Sequence, residues 1–423
     1  MIEKPKGTND FLYPESKIRE TIISKITQIF EKFGYKPIET PIFEYVDLFK
    51  RSAGTTSDIV SKEMYEFVDK KGRNLALRPE ITAPVVRAIL QNNLINQNLI
   101  KLYYFGYIFR YEKPQKDRYR QATQFGVEYF GQEEYLADFE IIYLTYLLYK
   151  FTFNLDVQIH INSIGCKQCR PTYREKIYQY FSNFQDKLCK DCQKRLNENP
   201  LRILDCKNPI CKEISFQAPK STDYLCDDCK KHFSKLLQSL EKQNLPVIQN
   251  PLLVRGLDYY NRTVFEVKIE GVDLAGGGRY DYLVSQLSND KYNTPAVGFA
   301  GGLERLTNIL KEKNKLSLEE NIKINLISLT QQADEIILNF YVKLIQKITK
   351  EKLPVEILLT QFSNLSKALK TADQTKVDYS IFVGEEELQN EEITLKIMKT
   401  GKQEKIKIHD FVPKIYHIFH LQF

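Results

Sequence analysis

All eight cysteines of this 423-residue chain lie within one short stretch, and this confinement limits the fold more than any other feature of the sequence. The stretch runs from Cys166 to Cys229 and contains three C-x2-C pairs and one C-x4-C pair. Eight paired thiolates suffice for two tetrahedral zinc sites, and a chelated metal would stabilise a small fold that lacks a large core. The alternative is a set of reduced thiols without a metal. The predicted ligands of structural zinc are Cys166, Cys169, Cys189, Cys192, Cys206, Cys211, Cys226 and Cys229.

Length and composition describe an ordinary globular protein of two or three domains. The apolar fraction is 43% and the charged fraction 27%, which excludes collagen-like, mucin-like and wholly disordered chains. The formal charge of +7 comes from 61 basic and 54 acidic residues. This surplus allows a polyanionic partner without requiring one.

Neither a targeting signal nor a membrane span is expected. Residues 1–7 contain no apolar core behind a basic start, so they do not form a secretory signal. The longest apolar stretch, Phe139–Tyr149, is interrupted by Glu140. It is far shorter than the ~20 residues that cross a bilayer. We therefore expect a cytoplasmic protein with reduced cysteines and no membrane partner.

The first half of the chain predicts a helix followed by a long β-hairpin. Apolar residues recur on one helical face over 19–33. The aromatic and β-branched segments 102–111 and 123–130 predict strands, and the charged segment between them predicts a basic loop.

The pattern changes at the cysteines and then returns to strands. We predict an inserted domain at 166–250, then strands at 252–254 and 263–269. The run Gly276–Gly278 fits either a hairpin turn or a backbone that closely approaches a ligand.

The C-terminal part predicts a separate α/β domain at 323–423, after a polar linker at 311–321. The preceding domain would occupy 1–322 and contain the insertion. Strand, helix, strand, helix and strand are predicted in turn at 322–329, 333–348, 355–359, 365–372 and 379–383.

The common phosphate-binding and hydrolase motifs are absent from the sequence. It contains no Walker-type loop, no G-x-G-x-x-G after a strand, no H-E-x-x-H and no G-x-S-x-G. A nucleotide would therefore have to be held by arginines, whose planar guanidinium groups bind phosphate oxygens. Each arginine taken alone would most often be a solvated surface residue. The candidates are Arg110, Arg118, Arg255 and Arg305.

Three segments carry a resemblance to a known family. Residues 109–124, FRYEKPQKDRYRQATQ, resemble motif 2 of the class II aminoacyl-tRNA synthetases in its histidine-specific form. Arg255–Tyr260, RGLDYY, resembles the signature peptide of the histidyl-tRNA synthetases, and Gly298–Leu306 is similar to motif 3. Further segments that fit the family are Lys6–Asp10, Leu77–Glu80 and Ala275–Asp281.

The resemblance implies an α+β fold and an enzymatic function. The expected fold is a class II antiparallel sheet with flanking helices, an inserted small Cys-rich helical domain, and a C-terminal α/β anticodon-binding domain. The expected reaction is ATP-dependent ligation of L-histidine to tRNA(His) through a histidyl-adenylate, with Mg²⁺ bridging phosphate oxygens. Family members are homodimers, and Pro41–Glu44 falls where the dimer-forming motif 1 would lie.

The same resemblance assigns residues to the site. Arg110 and Arg255 would be catalytic, because negative charge develops on the α-phosphate and fixed cations stabilise it. Gln115 would reach the end of the tRNA. ATP would be bound by Arg110, Glu112, Arg118 and Arg305. Histidine would be bound by Glu80, Ile81, Thr82, Arg110, Gln124, Glu128, Arg255, Tyr259 and Tyr260.

Two other functions compete with this one. A catalytically silent, synthetase-like regulatory subunit of ATP phosphoribosyltransferase would typically lack the signature arginine and the C-terminal domain, whereas this chain has Arg255 and residues 323–423. A zinc-ribbon protein that only binds nucleic acid would leave the ordered arginines and the Arg255–Tyr260 peptide unexplained.

Overall fold

In a computed structural model, the chain forms two compact units, residues 1–317 and 318–423. The structure describes residues 2–54, 57, 59–112, 118–315 and 321–415. The helices of the first unit are α1 (Glu15–Lys32), α2 (Val46–Ala53), α3 (Thr82–Gln91), α4 (Tyr135–Leu147), α5 (Arg170–Ser182), α6 (Lys190–Glu198), α7 (Pro209–Ser215), α8 (Asp227–Lys242), α9 (Leu283–Leu287) and α10 (Leu303–Glu312). Its strands are β1 (Lys36–Pro37), β2 (Phe43–Tyr45), β3 (Tyr65–Val68), β4 (Asn74–Leu77), β5 (Ile100–Phe109), β6 (Gln121–Phe130), β7 (Gln158–Ser163), β8 (Val247–Gln249), β9 (Asn261–Ile269), β10 (Val272–Arg279) and β11 (Ala296–Gly302).

One large sheet organises this unit, with the strand order β1-β5-β6-β11-β10-β9-β7-β8. Its six central strands are antiparallel, and the short strands β1 and β8 pair in parallel at the two edges. The strands β2, β4 and β3 form a second, small antiparallel sheet. The predicted antiparallel sheet is therefore confirmed.

The sheet lies between two apolar cores. Tyr103 of β5 packs into one core, whereas its neighbours Leu102 and Tyr104 pack into the other. This division follows from the alternation of side chains along a strand. Helices α1, α4, α8 and α10 contribute to the first core, and α3, α5 and α6 contribute to the second.

The predicted first helix and the predicted hairpin are both present. Helix α1 begins four residues earlier than predicted, and its buried face contains Ile22, Ile26 and Phe30. Strands β5 and β6 pair with Phe109 opposite Gln121, so the connecting loop leads away from the end of the hairpin. Residues 113–117 of this loop lie outside the described part of the chain.

The prediction of a strand at 252–254 is wrong, because these residues form a turn and an irregular segment. The apolar side chains of Leu253 and Val254 pack into the second core without belonging to a strand. The Asn162 side-chain amide donates to the carbonyls of Pro251 and Leu253 at 3.2 and 3.0 Å and so replaces a strand ladder. The strand in this region is β8, which pairs with β7.

The glycine run does not form a turn. Gly276–Gly278 lie inside β10, between β9 and β11. The hairpin-turn interpretation is therefore excluded by the structure.

The Cys-rich segment is helical, as predicted, and it packs against the sheet. Its helices are α5 to α8. Phe233, Leu236 and Leu240 of α8 belong to the first core, whereas Ile177 of α5 belongs to the second. The segment thus contributes apolar side chains to both cores.

The second unit contains the predicted alternation of strands and helices. Its strand order is β13-β12-β14-β15-β16, with β12 parallel to both neighbours and the last two pairings antiparallel. The helices of this unit include α11 (Asp334–Glu351), α12 (Leu365–Gln374) and α13 (Glu385–Gln389). The strands are β12 (Ile322–Ser328), β13 (Val355–Gln361), β14 (Tyr379–Val383), β15 (Glu392–Ile397) and β16 (Gln403–Lys407).

Within the described part of the chain, no helix combines the length and the apolar character needed to cross a membrane.

Candidate active site

A cleft of about 820 Å³ in the first unit contains most of the predicted site. Ile81 and Glu128 lie beneath its surface, with only 1% of each residue exposed. Gln115 lies outside the described residues. The predicted residues that line the cleft are Glu80, Thr82, Arg110, Glu112, Arg118, Gln124, Arg255, Tyr259, Tyr260 and Arg305.

The end of the hairpin places two arginines around one carboxylate. Arg110 follows β5, and its Nε donates to the carbonyl of Pro79 at 2.9 Å. Glu112 Oε2 lies 3.1 Å from Arg118 Nη1, and Glu112 Oε1 lies 4.0 Å from Arg110 Nη1. Glu112 therefore holds both guanidinium groups in the cleft wall, where they can bind phosphate oxygens.

Arg255 is held over a glycine of the central sheet. Its Nη1 is 2.6 Å from Glu266 Oε1, and Lys268 Nζ is 3.0 Å from Glu266 Oε2. The Arg255 guanidinium occupies the space that a Cβ at Gly276 would fill. Its Nε is buried and has no hydrogen-bond partner in the described structure. The arginine therefore keeps one N–H group that no described protein group accepts.

Glu80 and its neighbours join helix α3 to strand β6. The Glu80 carboxylate accepts from the backbone N–H groups of Thr82 and Ala83 at 2.7 and 3.0 Å. The Ile81 N–H donates to Gln124 Oε1 at 3.1 Å. Burial raises the pKa of Glu80. This arrangement fixes several acceptor oxygens at one end of the cleft.

Glu128 lies in a buried nest of hydroxyl groups. It accepts from Thr82 Oγ1 at 2.6 Å and from Tyr104 Oη at 3.2 Å, and it also accepts from Tyr280 Oη. Burial raises the pKa of Glu128 to about 8 and outweighs the opposing effect of the hydroxyl donors. A neutral carboxyl and a carboxylate are therefore both accessible near neutral pH, so Glu128 can either donate or accept a hydrogen bond.

Two adjacent tyrosines form an aromatic part of the wall. Tyr259 and Tyr260 precede β9, and their ring centroids are 4.7 Å apart. Tyr259 also packs edge-on against Tyr280 at 5.6 Å. Burial raises the pKa of both Tyr259 and Tyr260, so their phenols remain neutral at physiological pH. Both residues line the cleft.

Motif 3 supplies one cleft arginine and one structural carboxylate. Arg305, near the start of α10, donates to the carbonyl of Asp273. The neighbouring Glu304 accepts from the N–H of Thr123 at 2.9 Å and from Arg19 Nη2 at 2.9 Å. Glu304 thereby ties α10 to β6 and α1. Neither Arg19 nor Glu304 stood out in the sequence as a part of the site.

The Cys-rich segment forms a wall of the cleft that the sequence did not predict. Arg202 Nη1 donates to the carbonyl of Arg255 at 2.9 Å. The two residues are 53 positions apart along the chain, so no local pattern indicated this contact. The cleft-lining residues from this segment are Cys189, Asp191, Arg195, Arg202, Asp205, Cys206, Lys207 and Asn208.

Models of two known protein families match this chain. A family model described as "Histidyl-tRNA synthetase" matches residues 7–165 and 215–306. The chain belongs to the histidyl-tRNA synthetase family. A second model, described as "Anticodon binding domain", matches residues 323–417. The predicted family is confirmed.

Individual relatives match over almost the entire chain. A "Histidine--tRNA ligase" from Halothermothrix orenii is 42% identical over 421 residues, which cover 98% of this chain and 99% of the relative. One from Desulfitobacterium hafniense is 41% identical over 416 residues, 97% of this chain and 96% of the relative. The crystal structure of apo S. aureus histidyl-tRNA synthetase superposes with a TM-score of 0.76 at 33% identity, covering 98% and 99% of the two chains. The predicted enzyme class and class II fold are confirmed.

The histidyl-tRNA synthetase model leaves out residues 166–214, which contain six of the eight cysteines. In the structure the eight thiols form two groups, and within each group the sulfur atoms lie within 4.8 Å of one another. We call Cys166, Cys169, Cys226 and Cys229 the outer cluster. We call Cys189, Cys192, Cys206 and Cys211 the inner cluster.

The distances within these clusters suit a tetrahedral metal. The sulfurs of Cys166 and Cys169 are 3.6 Å apart, and those of Cys189 and Cys206 are 3.8 Å apart. A Zn–S length of about 2.3 Å gives a tetrahedron edge of ~3.8 Å, whereas a disulfide needs about 2.0 Å. All eight cysteines are free thiols. Either cluster could therefore hold a metal ion.

In each cluster one backbone amide donates to a cysteine sulfur, although burial raises the pKa of that thiol overall. The Cys226 N–H donates to Cys169 Sγ at 3.0 Å, and the Cys189 N–H donates to Cys211 Sγ at 3.2 Å. A hydrogen bond to an anionic sulfur stabilises the charge that metal binding requires.

Proposed function

We propose that this chain activates L-histidine with ATP and transfers the histidyl group to tRNA(His). The observation that carries the proposal is the position of Arg255, from the family signature, in the same cleft as Arg110. Attack of the histidine carboxylate on the α-phosphate places negative charge on the phosphate oxygens. Fixed guanidinium groups in a cleft stabilise such charge best where water is excluded.

The ATP side of this cleft would be formed by motifs 2 and 3. Arg110 would contact the α-phosphate, Arg118 and Arg305 would hold the outer phosphates, and Glu112 would lie on the adenine side. Mg²⁺ would bridge phosphate oxygens, a role that needs few protein ligands. This assignment is supported by the presence of all four side chains in the cleft wall.

The histidine side would be formed by the buried end of the cleft. A neutral imidazole has one N–H donor and one acceptor nitrogen, and the substrate ammonium needs acceptors. Glu128 and Tyr260 would face the imidazole, with Tyr259 and Ile81 beside it. Glu80, Thr82 and Gln124 would accept from the ammonium. Support comes from the hydrogen-bonded network that already joins these residues.

Partners and location complete the proposal. The second unit would bind the anticodon of tRNA(His), and Gln115 would reach the acceptor end. We also propose a homodimer, with Pro41–Glu44 at its interface, and a cytoplasmic location, where thiols stay reduced. The domains would be 1–322, the insertion 166–250, and 323–423.

Both cysteine clusters would bind structural Zn²⁺. The support is the sulfur geometry, the amide donors and the absence of disulfides among the eight cysteines. Metal analysis of the purified chain tests this directly, with about two zinc ions per chain expected from two four-thiolate sites.

Histidine-dependent ATP–pyrophosphate exchange tests the activity. We expect exchange with histidine and not with the other amino acids. A folded protein that shows no exchange, or exchange with a different amino acid, would contradict the proposal. A silent regulatory subunit would bind histidine without exchange, so histidine binding measured in parallel separates that alternative.

A further inference from the structure

The signature peptide 255–260 contains no helix or strand and depends on neighbouring side chains for its position. Three of these neighbours come from the Cys-rich segment. Arg202 Nη1 donates to the carbonyl of Arg255 at 2.9 Å, and Arg170 Nη1 donates to the carbonyl of Tyr260 at 3.0 Å. Asn199 Nδ2 donates to Asp258 Oδ1 at 3.0 Å. The peptide is thus held near both ends by residues that lie outside the motifs.

Cysteines of the inner cluster lie on both sides, along the chain, of the residues that contact the Arg255 end of the signature peptide. Asn199 and Arg202 lie between Cys192 and Cys206, so both ends of their segment are fixed by inner-cluster thiols. Arg202 is only 8% exposed, which limits the positions its guanidinium can adopt. A metal that binds the two cysteine pairs together would keep this segment against the peptide.

The outer cluster is adjacent to the residue that holds the Tyr260 end. Arg170 follows Cys169 directly and begins helix α5. The same guanidinium lies 3.4 Å from the carbonyl of Asp258. A metal at the outer cluster therefore fixes the start of the helix from which Arg170 extends.

We infer that the Cys-rich segment is a metal-dependent brace for the signature peptide, in which the inner cluster positions Arg255 and the outer cluster positions Tyr260. Arg170, Asn199 and Arg202 are positioning residues. The inference rests on the proposed function for its kinetic consequence, because Arg255 acts on the α-phosphate there and Tyr260 on histidine. Loss of the inner contact then lowers kcat, whereas loss of the outer contact raises KM for histidine.

Arginine variants that leave all eight thiols in place test the brace. In histidine-dependent ATP–pyrophosphate exchange, we expect Arg202→Met to lower kcat on the order of 10- to 100-fold, the scale of a misplaced catalytic group. We expect Arg170→Met to raise KM for histidine about tenfold. Arg174→Met is the matched control, because Arg174 Nη2 donates to the carbonyl of Glu198 within the Cys-rich segment and not to the signature peptide.

Cysteine variants connect the same effects to the metal. Cys206→Ser and Cys226→Ser should each lose about one zinc ion per chain, measured by elemental analysis, since each removes one ligand of a four-thiolate site. Cys206→Ser should reproduce the kcat effect of Arg202→Met, and Cys226→Ser the KM effect of Arg170→Met. Loss of metal with unchanged kinetics, or the same kinetic effect from both clusters, would overturn the inference.

Hydrogen exchange separates this inference from the proposed function. Amides of residues 255–262 should exchange faster in Arg202→Met and Arg170→Met than in the wild type or Arg174→Met. Unchanged exchange in both variants would overturn the brace even if the wild type is active. An inactive wild type with faster exchange in these variants would contradict the proposed function and support the brace.

Discussion

Several charged residues of the cleft are paired with one another in the absence of a substrate. Arg255 is held by Glu266, and Glu112 lies between Arg110 and Arg118. These pairs fix the guanidinium groups in position, so less reorganisation is needed when phosphate oxygens arrive. A buried carboxyl at Glu128, whose pKa is raised to about 8, lies at the end of the cleft where we propose that histidine binds.

Replacing Arg255 should remove catalysis while leaving histidine binding largely intact. We expect Arg255→Ala to cost about 3 kcal/mol of transition-state stabilisation, the typical effect of one lost stabilising group. Glu266 keeps Lys268 as a partner, so the fold should survive. Pyrophosphate exchange and equilibrium dialysis with histidine measure the two quantities. Arg73→Ala, an arginine half exposed beside Asp69, serves as the control. Unchanged exchange in Arg255→Ala would refute the assigned role.

Glu128 should make stability depend on pH. Its pKa is about 8 in the folded chain and ~4.3 when unfolded, so the folded state binds more protons between these values. The free energy of unfolding contributed by Glu128 therefore falls as pH rises from ~4.5 to 8. The free energy of unfolding of Glu128→Gln should depend less on pH than that of the wild type. Relative to the wild type, it should therefore rise by roughly 3–5 kcal/mol as pH increases across this window.

Urea unfolding at a series of pH values measures that difference. Glu133→Gln removes a carboxylate that is 70% exposed and should leave the slope unchanged. If the free energies of unfolding of the wild type and Glu128→Gln changed in parallel with pH, burial would not raise the pKa of Glu128.

At the scale of elements, strand β10 combines sheet pairing with ligand access. Gly276 and Gly277 are adjacent in β10, yet an added Cβ would meet different neighbours. At Gly276 it would overlap the Arg255 guanidinium, and at Gly277 it would overlap the backbone of β11. The missing Cβ at Gly276 therefore leaves space for the Arg255 guanidinium. The missing Cβ at Gly277 allows the backbone of β11 to approach β10.

This difference predicts two distinct phenotypes in β10. Gly276→Ala should displace Arg255 and lower the exchange rate on the order of 100-fold, with little change in melting temperature, because a flexible side chain can move. Gly277→Ala should lower the free energy of unfolding by about 1–3 kcal/mol, because backbone atoms must shift. Thermal unfolding and exchange kinetics on both variants test this. Equal loss of stability in the two variants would contradict the assignment.

At the scale of the whole molecule, the chain consists of two units with separate apolar cores. The first unit contains the cores on both faces of the large sheet, and Leu326, Phe340 and Ile381 belong to the core of the second. The candidate active site lies within the first unit. We therefore expect that amino-acid activation can be separated from anticodon binding.

A chain ending at residue 317 should activate histidine but charge tRNA poorly. We expect its pyrophosphate exchange to stay within about threefold of the full chain, because every described residue that lines the cleft belongs to the first unit. Aminoacylation of tRNA(His) should fall by about tenfold or more, because one of two linked binding modules is gone. Parallel loss of both activities in a folded truncated chain would contradict this separation.

Local patterns were enough to predict much of the fold and to propose the candidate site residues. The period of α1, the aromatic strands of the hairpin and the alternating elements of the second unit are all readable from neighbouring residues. The segment 252–254 was mispredicted because its apolar side chains are buried in an irregular segment held by Asn162. A local pattern cannot distinguish burial in a strand from burial in a loop.

The sequence by itself determined the family, the candidate arginines and the eight paired cysteines, because motifs and ligand spacing lie in short stretches of neighbouring residues. Tertiary structure decided which cysteine pairs meet, since the first pair joins the last and the two middle pairs join each other. It also decided the pKa of Glu128, which depends on burial beside Thr82, Tyr104 and Tyr280. The contact of Arg202 with Arg255 is likewise absent from any local pattern. These properties arise from groups that folding alone brings together, because burial and hydrogen bonding act through space and not along the chain.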